Sequence, residues 1–367
     1  MRALLIVLAF LIACAAPAAN GPDRKPAPGG ERVDGAGALA LARASHSATL
    51  LPDGTVLIAG GYDGDSCSIA ATELFDPAAG TASAGPRLTV PRCSQSATVL
   101  ADGRVLIAGG WSGANVVAST ELYDPRLRTF TPGTPMLDAR AAHLTATLAD
   151  GRVLVAGGSD GSGMHASAEV YDPVHGTWTR TGPLGIPRVA AVAVRLHDGT
   201  VLVAGGSPRR GEVVASAELY DPASGAFRET GRMTVARHKH AAALLPDGAV
   251  LVVGGSDARD GRGQYSKTEI YDPRARTFAA AIDMSAPRFK LPDAVATLPG
   301  GEVLVAGGAL SAEVFEPATK SFRTVPGSFG AGRSFSTATV LRDGRVLVAG
   351  GYDERIRVTG ALFLYLR

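Results

Sequence analysis

Seven arginines recur at one position of a repeating pattern, and they are the first residues here whose chemistry could bind a ligand. A guanidinium group presents a planar fork of donors that matches a carboxylate, so arginines gathered at one surface would form an anion site. The alternative is structural: each arginine hydrogen-bonds backbone carbonyls or pairs with a Glu or Asp of its own repeat. Recurrence in every repeat favours the structural interpretation, because a residue that every repeat carries is expected to serve the structure that all repeats have in common. The seven are Arg43, Arg92, Arg140, Arg188, Arg237, Arg288 and Arg333.

Three aromatic residues, Tyr62, Trp111 and Tyr352, directly follow Gly-Gly pairs. An exposed aromatic patch beside the arginines would suit a sugar or peptide ligand, since each ring offers a large contact area with a polar edge. The other interpretation is that these rings pack against adjacent loops, and the sequence leaves both open. With the seven arginines, they are the candidate ligand-binding residues.

Histidines and cysteines are the remaining groups that could do chemistry. His46, His143 and His240 each lie three residues after a recurring arginine, but they lack close acidic or cysteine companions, so packing is favoured over metal binding. Cys67 and Cys93 could form a disulfide in an oxidising compartment, provided that their Cα atoms approach within bonding range. The sequence predicts no catalytic residue, no metal site and no cofactor.

A repeat of about 45 to 50 residues must position these side chains. Each repeat has an Asp-Gly or similar turn between two short strands, then a Gly-Gly pair that ends the second strand. A third strand ends in a Glu-Leu-Tyr-Asp-Pro type of sequence, and a fourth carries one aromatic residue in most repeats. The Gly-Gly pairs are 60–61, 109–110, 157–158, 205–206, 254–255, 307–308 and 350–351.

Gly-Gly after the second strand, then Tyr-Asp-Pro, then an aromatic residue: this pattern resembles the kelch repeat over residues 37–367. The resemblance implies an all-β, seven-bladed propeller with four antiparallel strands in each blade. It also implies that the loops joining strands two to three and four to one share one face. The last repeat lacks its fourth strand, so we expect residues 37–42 to pair with residues 359–366 and close the ring.

The N-terminus predicts export from the cytoplasm. Residues 1–13 have the charged start and short apolar run of a signal peptide, and Leu11-Ile12-Ala13-Cys14 resembles the lipobox of bacterial lipoproteins. That resemblance implies acylation of Cys14 and anchoring in the cell envelope, at the outer membrane of a Gram-negative cell. Cleavage near residues 16–19 would instead give a secreted protein. The Pro- and Gly-rich residues 14–36 are predicted to be a flexible tether.

The charge balance limits the partners. Lys plus Arg number 36 against 34 for Asp plus Glu, so the chain has no general attraction for nucleic acid. The sequence therefore favours an envelope-anchored binding module, whose loop face holds an unidentified protein or glycan, over an enzyme. The alternative is a periplasmic enzyme similar to the kelch-type mutarotases of sugar acids.

Overall fold

The computed structural model describes residues 30–367, which form seven four-stranded antiparallel sheets arranged as blades of a ring. Contacts between innermost strands of neighbouring blades run round the central channel. The predicted all-β, seven-bladed propeller is confirmed. Between Gly30 and Arg367 we find no helix with the length and apolar character needed to cross a membrane. The predicted signal peptide, Cys14 and tether residues 14–29 lie outside the described residues.

The strands follow one another from the innermost to the outermost in each blade, except that the first strand of the chain belongs to the last blade. That strand is β1 (Arg32–Ala38). Blade one has β2 (Ser47–Leu50), β3 (Val56–Ala59), β4 (Thr72–Asp76) and β5 (Thr81–Ala84). Blade two has β6 (Ser96–Val99), β7 (Val105–Ala108), the two strands of a small loop hairpin, β8 (Trp111–Ser112) and β9 (Asn115–Val116), then β10 (Thr120–Asp124) and β11 (Thr129–Gly133). Blade three has β12 (Leu144–Thr147), β13 (Val153–Ala156), β14 (Ala168–Asp172) and β15 (Thr177–Thr181).

The remaining blades repeat this order. Blade four has β16 (Val192–Arg195), β17 (Val201–Ala204), β18 (Ala217–Asp221) and β19 (Ala226–Glu229). Blade five has β20 (Ala241–Leu244), β21 (Val250–Val253), a 3₁₀ turn (Asp260–Arg262), β22 (Thr268–Asp272) and β23 (Thr277–Ala280). Blade six has β24 (Val295–Thr297), β25 (Val303–Val305), β26 (Glu313–Glu316) and β27 (Ser321–Thr324), and blade seven has β28 (Thr337–Val340), β29 (Val346–Ala349) and β30 (Ala361–Leu366).

Local sequence explains the turns between strands one and two. In blade one, Gly54 takes a φ of 92°, a left-handed conformation that glycine adopts without a Cβ clash. The carboxylate of Asp53 accepts a hydrogen bond from the backbone N–H of Thr55 at 2.9 Å, which stabilises the turn. The turn therefore forms from contacts within a few residues.

The hydrophobic core lies between blades rather than within them. The second strands are buried on both faces, and their Val, Leu and Ile side chains suit a strand in the middle of a sheet. Leu154 and Val170 of blade three, for example, share a cluster with Val201, Val203 and Tyr220 of blade four. Each blade is thus stabilised by its neighbours, as expected for a repeat architecture.

The N-terminal strand closes the ring, as predicted, but begins earlier than the sequence indicated. β1 pairs antiparallel with β30, from Arg32 opposite Leu366 to Ala38 opposite Ala361. The paired segment is therefore 32–38 rather than 37–42, and residues 32–36 belong to blade seven rather than to the tether. β1 is an outermost strand, so its own sequence does not show the alternation that would have located it.

Candidate functional site

Six of the seven recurring arginines are committed to the structure of their own blades. Their side chains are buried and pair with the Glu that opens the third strand, with N···O distances between 2.7 and 3.0 Å. The pairs are Arg43–Glu73, Arg92–Glu121, Arg140–Glu169, Arg188–Glu218, Arg237–Glu269 and Arg288–Glu313. No guanidinium of these six is accessible to an anion from solution, so they do not form the alternative ligand site.

The surroundings of Arg140 show what each pair does. Its guanidinium donates to the carbonyl oxygens of Gly157 at 2.6 Å and Ser167 at 3.0 Å, and to Glu169 at 2.7 Å. Glu169 also accepts the backbone N–H groups of Leu137 at 2.7 Å and Asp138 at 3.0 Å. The pair thus ties the loop before strand one to the loop after strand two, using buried polar groups that would otherwise lack partners.

The backbone at the same position links each blade to its predecessor. The N–H of the second glycine in a Gly-Gly pair donates to the carbonyl of the next blade's arginine; from Gly158 to Arg188 this distance is 2.8 Å. The first glycine is equally constrained, since a Cβ on Gly157 would lie 2.4 Å from the same carbonyl oxygen, and its φ is +65°. The Gly-Gly pairs are therefore required by the close approach of the neighbouring blade.

Arg333 of blade seven is the exception. Its guanidinium donates to the carbonyl of Phe329 at 2.7 Å and lies 5.4 Å from the ring centre of Phe363. Strand β30 begins at Ala361 and carries no Glu there, so Arg333 has no carboxylate within salt-bridge distance among the described residues. This blade therefore provides a natural comparison for the other six.

The three repeated histidines pack rather than converge on a metal. His46 Nε2 lies 3.2 Å from Thr337 Oγ1, and His143 Nε2 lies 2.9 Å from Ser96 Oγ, in each case on the preceding blade. Burial, and then the nearby arginine, lower the pKa of His46 and His143 to about 3. Within residues 30–367, no three His, Cys, Asp or Glu side chains gather as a metal site would require.

Cys67 and Cys93 form a disulfide. Cys67 lies in the loop between strands two and three of blade one, and Cys93 lies directly before strand one of blade two. The backbone beside them is joined as well, because the carbonyl of Cys67 accepts from Gly113 at 3.0 Å. The covalent link therefore fixes the loop faces of the first two blades to each other.

The three candidate aromatic residues occupy one equivalent position on consecutive blades around the ring. Each forms an antiparallel bridge with the residue that follows the recurring arginine: Tyr62 with Ala44, Trp111 with Cys93, and Tyr352 with Ser334. All three are half-buried. Each ring is therefore partly enclosed by neighbouring loops and partly exposed to solvent.

Trp111 shows the enclosing contact most clearly. A Cβ on Gly161, in the loop of blade three, would lie 3.1 Å from its indole ring. The corresponding residues in blades three, four and five are Ser159, Ser207 and Ser256. One side of the loop face is therefore aromatic and the other carries small polar side chains.

A ring of backbone hydrogen bonds surrounds the channel entrance on this face. The residue two places after each recurring arginine has a positive φ, between 52° and 70°. At six junctions it donates its N–H to the carbonyl of its counterpart in the preceding blade, for example Lys290 to Lys239 at 2.9 Å. The seven residues are Ser45, Ser94, Ala142, Ala190, Lys239, Lys290 and Phe335.

Two lysines therefore sit side by side at the channel mouth. Lys239 forms a salt bridge with Asp260 at 2.7 Å, from the loop between strands two and three of blade five. The Lys290 amine lies 5.7 Å from the ring centre of Phe335 and 5.1 Å from that of Tyr352. We call these five residues the mouth cluster.

Burial and like charge perturb the ionisation of this cluster. The pKa of Lys290 is lowered to about 8, first by burial and then by the charge of Lys239, while Asp260 opposes the change. Burial lowers the pKa of Lys239 too, against the effect of Asp260. Burial raises the pKa of Tyr352, and Asp260 adds to this increase. Burial and the neighbouring charges thus shift the pKa of Lys290, Lys239 and Tyr352 in the mouth cluster.

The sequence analysis did not identify Lys239, Lys290 or Asp260 as site residues. A usable signal was present: the position two places after each arginine is Ser or Ala in four blades but Lys in blades five and six. A departure from the repeat marks a role that the repeat itself does not require.

Comparison with known proteins agrees with this architecture. A family model for the kelch motif matches residues 92–137 and 140–185, which correspond to blades two and three. Together with seven blades of the same pattern, these two matches support a kelch-repeat β-propeller. No curated protein matches the chain.

One similar solved structure is a fungal alcohol oxidase, described as novel, "with catalytic diversity among the AA5 family, in complex with copper". The TM-score is 0.71 at 20% sequence identity, covering 89% of this chain and 74% of the oxidase. At this identity the similarity shows the shared fold alone, because unrelated functions occur on one propeller architecture.

Proposed function

We propose that this kelch propeller is a binding module that holds a partner protein on its loop face, around the channel mouth. The observation that carries the proposal is the contrast between repeated and non-repeated side chains there. The arginines that recur in every blade are mostly buried in salt bridges, whereas the half-exposed residues Tyr62, Trp111 and Lys290 stand at positions where most other blades carry a different residue. Residues that vary among loops of a rigid scaffold are suited to recognition.

The kelch-propeller fold supports an interaction role of this kind. Aromatic side chains at an interface give large, rigid contact areas at a low cost in conformational entropy. The mutarotase alternative gains no support from the comparisons, since the similar structure is that of an oxidase and shows the fold alone. We therefore propose a protein partner and leave the alternative aside.

Site-specific photocross-linking tests this proposal. A benzophenone amino acid placed at Tyr62 or Trp111 in living cells should give one discrete protein adduct. The matched control is Val174, which is 85% exposed in a loop between strands three and four, on the opposite face. Adducts formed equally from both faces, or from neither, would exclude a partner at the loop face. Replacing Tyr62 by Ser, the residue that blades three to five carry there, should abolish the adduct from Trp111.

We also propose that the propeller is anchored in the cell envelope through a lipid on Cys14. The support is the sequence Leu11-Ile12-Ala13-Cys14 and the short apolar run before it. Several acyl chains on one cysteine would bind a membrane firmly, at about 0.8 kcal/mol for each buried CH₂ group. Metabolic labelling with palmitate should mark the wild-type protein but not Cys14→Ser. Equal labelling of both proteins, or of neither, would overturn the anchor.

A further inference from the structure

Lys290 has three N–H donors and no protein acceptor for them among residues 30–367. Within residues 30–367 its amine forms no hydrogen bond and no salt bridge, although it is half-buried. Its neighbours are aromatic: the ring centre of Phe289 lies 4.6 Å away, and those of Tyr352 and Phe335 lie 5.1 and 5.7 Å away. Aromatic faces attract an ammonium but do not replace a strong hydrogen-bond acceptor.

The neighbouring lysine is not in the same state. Lys239 is buried and satisfied by Asp260 at 2.7 Å, and His238 Nε2 lies 3.7 Å from the same carboxylate oxygen. Burial, followed by the charge of Lys239, lowers the pKa of His238 to about 4, so this ring is neutral. With two ammonium groups and one carboxylate, the mouth cluster retains a single positive charge when Lys290 is protonated.

We propose that the mouth cluster binds a carboxylate, and that the Lys290 ammonium is its principal charged donor. A carboxylate supplies the missing acceptor and neutralises the remaining charge. A dianion such as sulfate would leave one negative charge beside Asp260, in a site partly shielded from water, and is therefore disfavoured. The cluster thus selects a singly charged anion.

This proposal deepens the proposed function, because it names the chemistry that a partner would present at the same face. It rests on that function only for the identity of the molecule that carries the carboxylate. An acidic side chain of a partner protein and a small organic acid share this chemistry, and the experiment separates the two sources.

The sign of the pH dependence follows from the charged groups around Lys290. Lys239, from the loop before strand one of blade five, disfavours the ammonium form, and Asp260, from the strand two to three loop of that blade, favours it. Tyr352, from blade seven, is a neutral phenol because burial raises its pKa. A bound carboxylate adds a second negative charge and raises the pKa of Lys290. Affinity must therefore fall as pH rises through about 8.

NMR titration of the lysine side chains tests the proposal directly. The chain has five lysines, so labelled lysine gives few signals, and Lys290→Arg assigns one of them without removing the charge. In about 0.1 M propionate the pKa of Lys290 should rise by about half a unit or more relative to chloride of equal ionic strength, a roughly threefold change in proton affinity. Lys320, which is exposed on a turn of blade six, should not respond.

Two results would overturn the proposal. The first is the same Lys290 pKa in propionate and in chloride. The second is an equal shift in sulfate, which would show an anion site without preference for a carboxylate. As a further check, Asp260→Asn leaves Lys239 unpaired and adds one positive charge, so sulfate should then raise the pKa of Lys290 as propionate does.

Competition with the photocross-link separates the two sources of the carboxylate. If propionate suppresses the protein adduct from Trp111 while chloride does not, the carboxylate belongs to the partner protein. If the adduct is unaffected while the pKa of Lys290 rises, the site takes a small acid. If photocross-linking gives no protein adduct, the NMR titration of Lys290 still tests the carboxylate site. The two proposals can therefore fail independently.

Discussion

Removing the guanidinium of Arg140 tests whether the arginine–glutamate pairs hold the blades together. Arg140→Ala deletes the donors to two backbone carbonyls and to Glu169, and leaves that buried carboxylate with only its two backbone N–H partners. Breaking a buried ion pair by removing one partner costs about 3–5 kcal/mol. We expect the free energy of unfolding to fall by about this amount.

Arg333→Ala is the matched control, because Arg333 occupies the same repeat position without a glutamate partner. It loses one hydrogen bond to Phe329 at 2.7 Å and a contact with the ring of Phe363. A hydrogen bond from a charged group contributes about 1.5–3 kcal/mol, so the expected loss is about 2 kcal/mol. The difference between the two variants measures the Glu169 pair together with the further hydrogen bonds to Ser167 and Asp138 that Arg140 makes and Arg333 lacks.

Urea denaturation monitored by tryptophan fluorescence measures both losses, since Trp178 lies in the fourth strand of blade three. In the double variant Arg140→Ala/Glu169→Ala, the loss should be smaller than the sum of the single losses by about 1–3 kcal/mol, because no unpaired charge remains. Equal losses for Arg140→Ala and Arg333→Ala, or strict additivity in the double variant, would refute the reasoning.

Three further outcomes follow from other contacts, each measurable by equilibrium denaturation. Gly157→Ala should destabilise the fold by about 3 kcal/mol or more, because its Cβ would lie 2.4 Å from the Arg188 carbonyl oxygen. Gly113→Ala is the control: Gly113 has a φ of +59°, and a Cβ there would meet no atom within 4 Å, so the free energy of unfolding should fall by only about 1 kcal/mol. Equal losses for Gly157→Ala and Gly113→Ala would contradict the steric argument. Replacing Cys67 and Cys93 together by Ser should lower the free energy of unfolding by about 3 kcal/mol, because the unfolded chain gains conformational entropy when the disulfide is absent. An unchanged free energy of unfolding would show that the disulfide does not constrain the unfolded chain. Acidification should destabilise the protein between pH 6.5 and about 3, because burial holds His143 neutral in the folded protein while the histidine of the unfolded chain takes up a proton. In His143→Gln the free energy of unfolding should depend less steeply on pH, by up to about 1.4 kcal/mol per pH unit, and an unchanged pH dependence would contradict this explanation.

Blade number and strand order could be predicted because the signals are local. An Asp-Gly turn, a Gly-Gly pair and a Tyr-Asp-Pro ending each depend on a few neighbouring residues, and they recur in nearly every repeat. The aromatic residue of the fourth strand packs against the tyrosine of the third, as Tyr171 and Trp178 lie 5.0 Å apart between ring centres. Cross-strand pairs of this kind follow from hairpin register alone.

The bounds of the closing strand β1 were harder to predict from the sequence. Its role was predicted from the missing fourth strand of the last repeat, but its bounds were displaced by several residues. Arg32–Ala38 contains two glycines and only one large apolar residue, Val33, so no pattern in the segment marks its register. The observed register places Val33 in the hydrophobic cluster between blades six and seven, a tertiary contact that the segment's own sequence does not reveal.

The positions of the arginines were visible in the sequence, but their partners were not. Arg140 meets Glu169 across 29 residues of chain, and the sequence alone did not distinguish this contact from a surface anion site. Burial decided between the two, because a guanidinium enclosed by its own blade satisfies backbone carbonyls and cannot reach a ligand.

The mouth cluster depended on tertiary structure most of all. Lys239, Asp260, Lys290, Phe335 and Tyr352 come from three blades, and no local pattern connects them. The sequence by itself determined the repeat, and hence the propeller, because each strand and turn is encoded by residues close in the chain. Only closure of the ring decided which lysine is paired and which is not, because that depends on distances of a few ångströms between side chains that different blades bring together.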